Sequence, residues 1–96
     1  MEGSKNKMFN SSHNLDIESE VKKIAAEVAE IDAGSIRAEA SLFEDLGLDS
    51  MEVLEILVMV ERRFNLQFRE EDLVQLKTVK STVDLIAAYL AKEQNE

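Results

Sequence analysis

The stretch Leu42-Phe43-Glu44-Asp45-Leu46-Gly47-Leu48-Asp49-Ser50-Met51 decides how this chain reads. A loop with two acids and a glycine runs into Asp49-Ser50, where an apolar-striped helix is predicted to begin. That puts a serine hydroxyl at a helix N-terminus, where backbone N–H groups lack partners and the dipole favours negative charge. A phosphate on that oxygen would sit in a favourable field. For the pair taken alone, helix capping by Asp49 or Ser50 is the favoured explanation, since both are preferred N-cap residues. The rest of the chain has to separate the two.

Downstream, helix II is expected from about Ser50 to Phe64. Met51, Leu54, Leu57, Val58, Val60 and Phe64 are apolar, as are Val53, Ile56 and Met59. Only Glu52, Glu55, Glu61, Arg62 and Arg63 mark a wet side, which predicts a central helix mostly surrounded by protein. Upstream, Ile17, Val21, Ile24, Val28 and Ile31 recur at helical spacing. They predict helix I with Asp16 as N-cap and Asp32-Ala33-Gly34 as its end. The connection from Gly34 to Asp49 is too apolar for a free linker and is expected to pack down through Ile36, Leu42, Phe43 and Leu46. Gly47 would give the backbone freedom for the turn before Asp49. After a break at Asn65-Leu66-Gln67-Phe68, residues 69–74 suggest a short helix III. Thr78 then caps helix IV, whose apolar face is Val79, Val83, Ile86, Ala87 and Leu90. The expected fold is all-α: a four-helix bundle with a long helix I–II loop and a short third helix.

Composition bounds the rest. Ninety-six residues make at most one domain. Residues 1–14 are polar, lack periodicity and read as a disordered N-terminal tail holding the lone His13; the domain is expected over 15–93, with 94–96 frayed. No cysteine is present, which excludes thiolate catalysis and zinc–thiolate sites. A formal net charge of −9 disfavours nucleic acid and anionic membranes and favours partners with basic patches. No apolar run reaches membrane-span length and no secretory signal is visible, so a soluble cytoplasmic monomer is expected.

Catalysis finds little support. Ser50 lacks a base, because no positioned His or Lys lies near it in the sequence. The acid pairs Glu44/Asp45, Asp49/Glu52 and Glu52/Glu55 read as a solvated surface, not as carboxylates held apart in a cleft. They do not follow calcium-loop spacing, so no metal site is expected. One charge feature is specific. From Glu39 to Glu61 there are seven acids and no Lys or Arg, which makes the flank of Ser50 a negative strip suited to basic partners. A protein this acidic carries acids everywhere, but an uninterrupted seven around one serine favours docking.

The run from Ser41 through Asp49-Ser50-Met51 to Glu52-Val53-Leu54-Glu55 closely resembles the attachment site of acyl carrier proteins. The resemblance extends from Ile17 to about Ala91. It implies a non-catalytic, free-standing carrier domain whose Ser50 receives 4′-phosphopantetheine from coenzyme A. The donor enzyme would be a Mg²⁺-dependent phosphopantetheinyl transferase. Asp49 would help present Ser50. Glu52 and Glu55, with Glu44 and Asp45, would meet basic docking patches on acyl-transferring and synthase enzymes. The thiol of the arm would hold acyl groups as thioesters, so the sulfur belongs to the cofactor. Leu57, Val60, Phe68 and Ile86 would line a cavity for the acyl chain or, equally, form ordinary core. Met51 after the serine, Phe68-Arg69, Arg62-Arg63, Leu73 and the absence of proline depart from the common fatty-acid carrier pattern. They suggest a specialised carrier for fatty-acid-like or polyketide-like synthesis. An amino-acid or D-alanine carrier is the alternative, and an unmodified acidic helical adaptor a more distant one.

Overall fold

The computed structural model describes residues 13–95. Three long helices, α1 (His13–Ala29), α2 (Ser50–Phe64) and α3 (Val79–Asn95), are joined by a short 3₁₀ helix at Glu70–Gln75 and a single 3₁₀ turn at Ala33–Ser35. The all-α bundle is as expected, and the third helix is of the 3₁₀ type. Several boundaries move. His13 and Asn14, expected in the tail, belong to α1, so Asp16 lies in its first turn and does not cap it. Residues 1–12 of that tail lie outside the described residues. At the other end α3 continues to Asn95, past the expected fraying point.

Helix α1 also stops sooner than Asp32-Ala33-Gly34 suggested. It ends at Ala29 because Glu30 turns left-handed (φ 60°) and Ile31 N–H donates to the Ala26 carbonyl at 3.1 Å. This is a helix stop normally built on glycine. Ile31 is thereby carried off the apolar stripe and left 41% exposed. The same device ends α2, with Asn65 left-handed and Leu66 N–H donating to Glu61 O at 2.9 Å.

The hub of the bundle is α1, not α2. It packs against both other long helices, and the ion pair of Glu20 with Arg63 shows that it runs antiparallel to α2. Ala25 and Ala26 are buried beside Ile24, small enough to let the helices approach. In α2 only Val53, Ile56 and Val60 are fully buried. Met51, Leu54 and Val58 face outward, so the wide stripe read as interior is half surface. The core closes with Ile17, Val21, Leu42, Leu76, Val79 and Ile86.

The long connection is held by backbone bonds to the start of α3. Leu42 N–H donates to Lys77 O (2.8 Å), while Val79 and Lys80 donate to Ala40 O (3.1 Å) and Ala38 O (2.8 Å). The first amides of α3, which have no partner within their own helix, are thus satisfied by the loop. Thr78 adds the expected side-chain cap, accepting from Ser81 N–H at 3.0 Å. Ile36 and Leu42 are buried and Leu46 half-buried as expected, but Phe43 is 44% exposed, because the turn it sits on points its side chain away from the core.

Among the described residues one carboxylate is buried. Asp72 is buried, accepting from Arg69 N–H (2.9 Å) and from the Tyr89 hydroxyl, which ties the 3₁₀ helix to α3. Phe68 meets the Tyr89 ring edge-on at 5.0 Å. The Tyr89 hydroxyl, the Arg69 amide and the nearby charges of Arg69 and Lys92 hold the Asp72 carboxyl below its ordinary 3.8, against the opposing effect of burial. Asp72 in turn pushes the Tyr89 hydroxyl above its ordinary 10.0. Val60 and Ile86, candidates for a cargo cavity, are fully buried core residues; Leu57 and Phe68 pack half-buried against that core.

Two outcomes test these features. Glu30→Gly relieves a left-handed side chain and is expected to raise stability by up to about 1 kcal/mol in urea unfolding. Tyr89→Phe keeps the ring but removes the donor, and is expected to cost about 1–2 kcal/mol at neutral pH. A carboxyl whose folded pKa is depressed contributes stability above its unfolded pKa and loses it as pH falls through the folded one. The gap between Tyr89→Phe and the unaltered protein should therefore narrow below about pH 3.8.

Candidate functional site

The site is the junction of the long connection with α2. Its approach is a small turn over Ser41–Leu46, built like a helix start. Ser41 N–H donates to Asp45 Oδ2 at 2.7 Å, and Ser41 Oγ accepts from Glu44 N–H at 3.1 Å. Leu42 anchors the turn in the core. The chain then reverses at Gly47, whose φ of +69° is the left-handed conformation that a glycine accepts without strain. Leu48 is buried and its N–H returns to Leu42 O at 3.1 Å. Two buried leucines thus bracket an exposed corner, and Asp49-Ser50 emerges from it.

Asp49 is the N-cap. Its Oδ1 accepts from Glu52 N–H at 2.9 Å, and Glu52 Oε1 accepts from Asp49 N–H at 3.0 Å, a reciprocal capping box. Asp49 O also accepts from Val53 N–H at 3.0 Å. The choice left open by the sequence is thereby resolved at the level of hydrogen bonds: Asp49 caps and Ser50 does not. Ser50 occupies the first helical position, exposed, with its hydroxyl free of the capping duty. Among the described residues, the Ser50 and Met51 N–H groups are left at the positive end of α2 without a capping partner. An anionic group on the exposed Ser50 Oγ would sit in the positive field of this helix end.

The seven-acid strip divides by role. Asp49 and Glu52 form the capping box, Asp45 holds the Ser41 turn, and Glu61 accepts from Phe68 N–H at 2.9 Å. Glu39 lies 3.9 Å from Arg37 across an exposed pair. Only Glu44 and Glu55 are exposed carboxylates with no such bond among the described residues. Ordinary structural chemistry therefore accounts for more of the strip than its charge alone suggested. Capping uses one oxygen of each carboxylate and leaves its charge in place, so Glu44, Asp45, Asp49, Glu52 and Glu55 still ring the Ser50 corner. The sequence signal for the capping box is Asp-x-x-Glu at positions 49 and 52, which by charge alone reads only as a solvated acid pair. The Glu61 and Asp45 bonds carried no comparable signal, because they depend on where a turn places its amides.

No group of three or more His, Cys, Asp or Glu among the described residues is arranged to hold a metal ion. No helix among them is long and apolar enough to cross a membrane.

Comparison with known proteins agrees with this geometry. A family model described as a phosphopantetheine attachment site matches residues 19–86. The chain is 38% identical over 77 residues to an acyl carrier protein of Bdellovibrio bacteriovorus, covering 80% of this chain and 94% of that protein. Its fold is similar to a solved acyl carrier protein from Enterococcus faecalis, with a TM-score of 0.67 and 26% identity over 79% of this chain and 96% of that one. Members of this family are not enzymes; they carry a covalent 4′-phosphopantetheine group and work with transferases and synthases. With a helical bundle, an exposed serine at a helix start and a matching family signature, this chain belongs to the acyl carrier protein family.

Proposed function

We propose that Ser50 is the residue that bears the 4′-phosphopantetheine arm. The observation that carries this is the split of roles at the start of α2: Asp49 and Glu52 satisfy the helix end, and the neighbouring serine is exposed and uncommitted. When bound, the arm supplies a terminal thiol that holds acyl groups as thioesters. The Ser50 Oγ attacks the pantetheine-bearing phosphorus of the coenzyme A pyrophosphate; the P–O–P bond breaks, adenosine 3′,5′-bisphosphate leaves, and the hydroxyl proton passes to a base of the modifying transferase. The resulting negative charge is met by the amides and dipole of α2.

Asp49 has two roles on this reading. Its Oδ1 fixes the first turn, and its charge presents the serine to a cationic, metal-bearing enzyme. Glu44 and Glu55, free of structural bonds, are the leading contacts for basic docking patches, with Asp45 and Glu52 adding charge behind them. Fatty-acid or polyketide-type synthesis is the pathway class that the likeness to acyl carrier proteins favours. Met51, 73% exposed beside the serine, is the feature that favours the second reading, a carrier of an amino acid or other small acid.

Incubation with coenzyme A, Mg²⁺ and a broad-specificity phosphopantetheinyl transferase should add the mass of one phosphopantetheine, mapped to Ser50. Ser50→Ala should keep the helical far-ultraviolet spectrum and gain no mass; an arm appearing on that variant would place the site elsewhere. Asp49→Asn keeps a good N-cap and removes the charge, whereas Asp49→Ala removes both and should cost about 1 kcal/mol of stability. A charge role for Asp49 predicts slower modification of both variants. Normal modification of Asp49→Asn would reduce Asp49 to a cap.

A further inference from the structure

Ser81, in the first turn of α3, does more than close that helix. Thr78 and Ser81 form a reciprocal cap: Ser81 N–H donates to Thr78 Oγ1 at 3.0 Å, and Thr78 N–H donates to Ser81 Oγ at 3.0 Å. This is the pattern of a capping box, with a serine where Glu or Gln is usual. A carboxylate there would end its work at the Thr78 amide. The Ser81 hydroxyl also gives its one proton to Gln75 O at 2.6 Å, the nearer of two carbonyls in reach, and Lys77 N–H approaches Ser81 Oγ at 3.3 Å. One proton given and two amides accepted use the whole capacity of a hydroxyl. Ser81 thereby ties the turn over residues 75–78 onto the start of α3. That turn in turn holds the long connection. Lys77 O accepts from Leu42 N–H at 2.8 Å, and Leu42 O accepts from Leu48 N–H at 3.1 Å. Leu48 immediately precedes Asp49, the N-cap of α2. A continuous run of hydrogen bonds therefore leads from Ser81 Oγ, through Lys77 and the buried Leu42 and Leu48, to the Asp49-Ser50 corner.

We propose that Ser81 is a positioning residue for the modification of Ser50, acting through the 75–78 turn and Leu42. The proposal rests on the carrier reading and adds to it a remote hydroxyl that sets where the acceptor serine points. Without that hydroxyl the Gln75 carbonyl and the Lys77 amide lose their protein partner, and the turn that presents Lys77 O loosens. Leu42 and Leu48 can then shift beneath the corner. A displacement of about 1 Å at a reacting atom can cost roughly 100-fold in rate. The surface charge that guides encounter with a basic enzyme is unchanged by the same loss. Capping α3 is the plainer role for Ser81. That role is indifferent to what happens at Ser50, so the two can be told apart.

Steady-state modification of the full chain by a phosphopantetheinyl transferase, with coenzyme A and Mg²⁺ saturating and the chain varied, gives kcat and KM for each variant. Ser81→Ala should lower kcat about tenfold and leave KM within about twofold. Ser81→Thr, which restores the hydroxyl, should recover the unaltered rate. Ser81→Glu separates the two roles: its carboxylate keeps the capping box, and so the stability in urea, but has no proton for the Gln75 carbonyl. It should lose kcat as Ser81→Ala does. Tyr89→Phe weakens the fold away from this run of bonds and should keep the unaltered kcat. In native-state hydrogen exchange the Leu42 amide should lose protection in Ser81→Ala and Ser81→Glu beyond any loss in Tyr89→Phe. An unaltered kcat in Ser81→Glu overturns the proposal, because capping would then account for Ser81. A loss in Ser81→Ala that Tyr89→Phe matches overturns it too, because general stability would account for the effect. The unaltered chain is the separate reference. If it takes no arm on Ser50 the carrier reading fails; if it does and the variants match it, the positioning role alone fails.

Discussion

The presentation of Ser50 depends on backbone hydrogen bonds between two irregular segments far apart in sequence. The carbonyls of Ala38 and Ala40 take the first amides of α3, and Leu42 N–H takes the Lys77 carbonyl in return. A connection of this length would otherwise carry unpaired polar groups and a large conformational entropy. Using it to finish another helix removes both difficulties together. Leu42 is then fixed in the core, the Ser41–Leu46 turn is fixed on Leu42, and the corner at Gly47 is left with one direction in which to release the chain. The orientation of the serine follows from a helix start nearly thirty residues away.

A second constraint is that charge and capping share the same side chains. Asp49 and Glu52 close the end of α2 and at the same time contribute to the negative field around it. Surface carboxylates of this kind give little stability through charge alone, whereas a capping box gives about 1 kcal/mol through hydrogen bonds. Folding therefore holds these acids in place whatever partners demand. Glu44 and Glu55 have no such anchor among the described residues, so folding does not fix their positions.

Much of the architecture was legible in the chain because it rests on local rules. The bounds of α2, the Thr78 cap, the Gly47 turn and the burial of Leu42 and Ile36 follow from periodicity, capping preference and glycine's conformational freedom. The misreadings share a cause: periodicity reports which residues are apolar, not which neighbours are near enough to cover them. Helix α2 looked central because apolar residues surround it, but α1, with two alanines at its contact face, takes that place. Glu30 ended α1 without the glycine that usually signals a stop. Nothing local distinguished Asp72 from Glu70 and Glu71; only the tertiary position of Tyr89 makes it a buried acceptor. At the site, Asp49 and Ser50 were legible as a pair, and the resemblance of the surrounding stretch pointed to a carrier. Which of the two residues caps the helix is signalled by Glu52 three residues after Asp49, a spacing that reads by charge as a solvated acid pair.

The placement of α1 has a consequence for how the molecule opens. A helix packed on two sides shares its contacts with the whole fold, and its amides exchange only when most of the structure is lost. Helix α2 buries one side, exposes the other, and approaches α1 more closely than it approaches α3. Its opening is a smaller, sub-global event with its own lower free energy. A load at the N-terminal end of α2 would work against that lower free energy and leave α1 packed on α3.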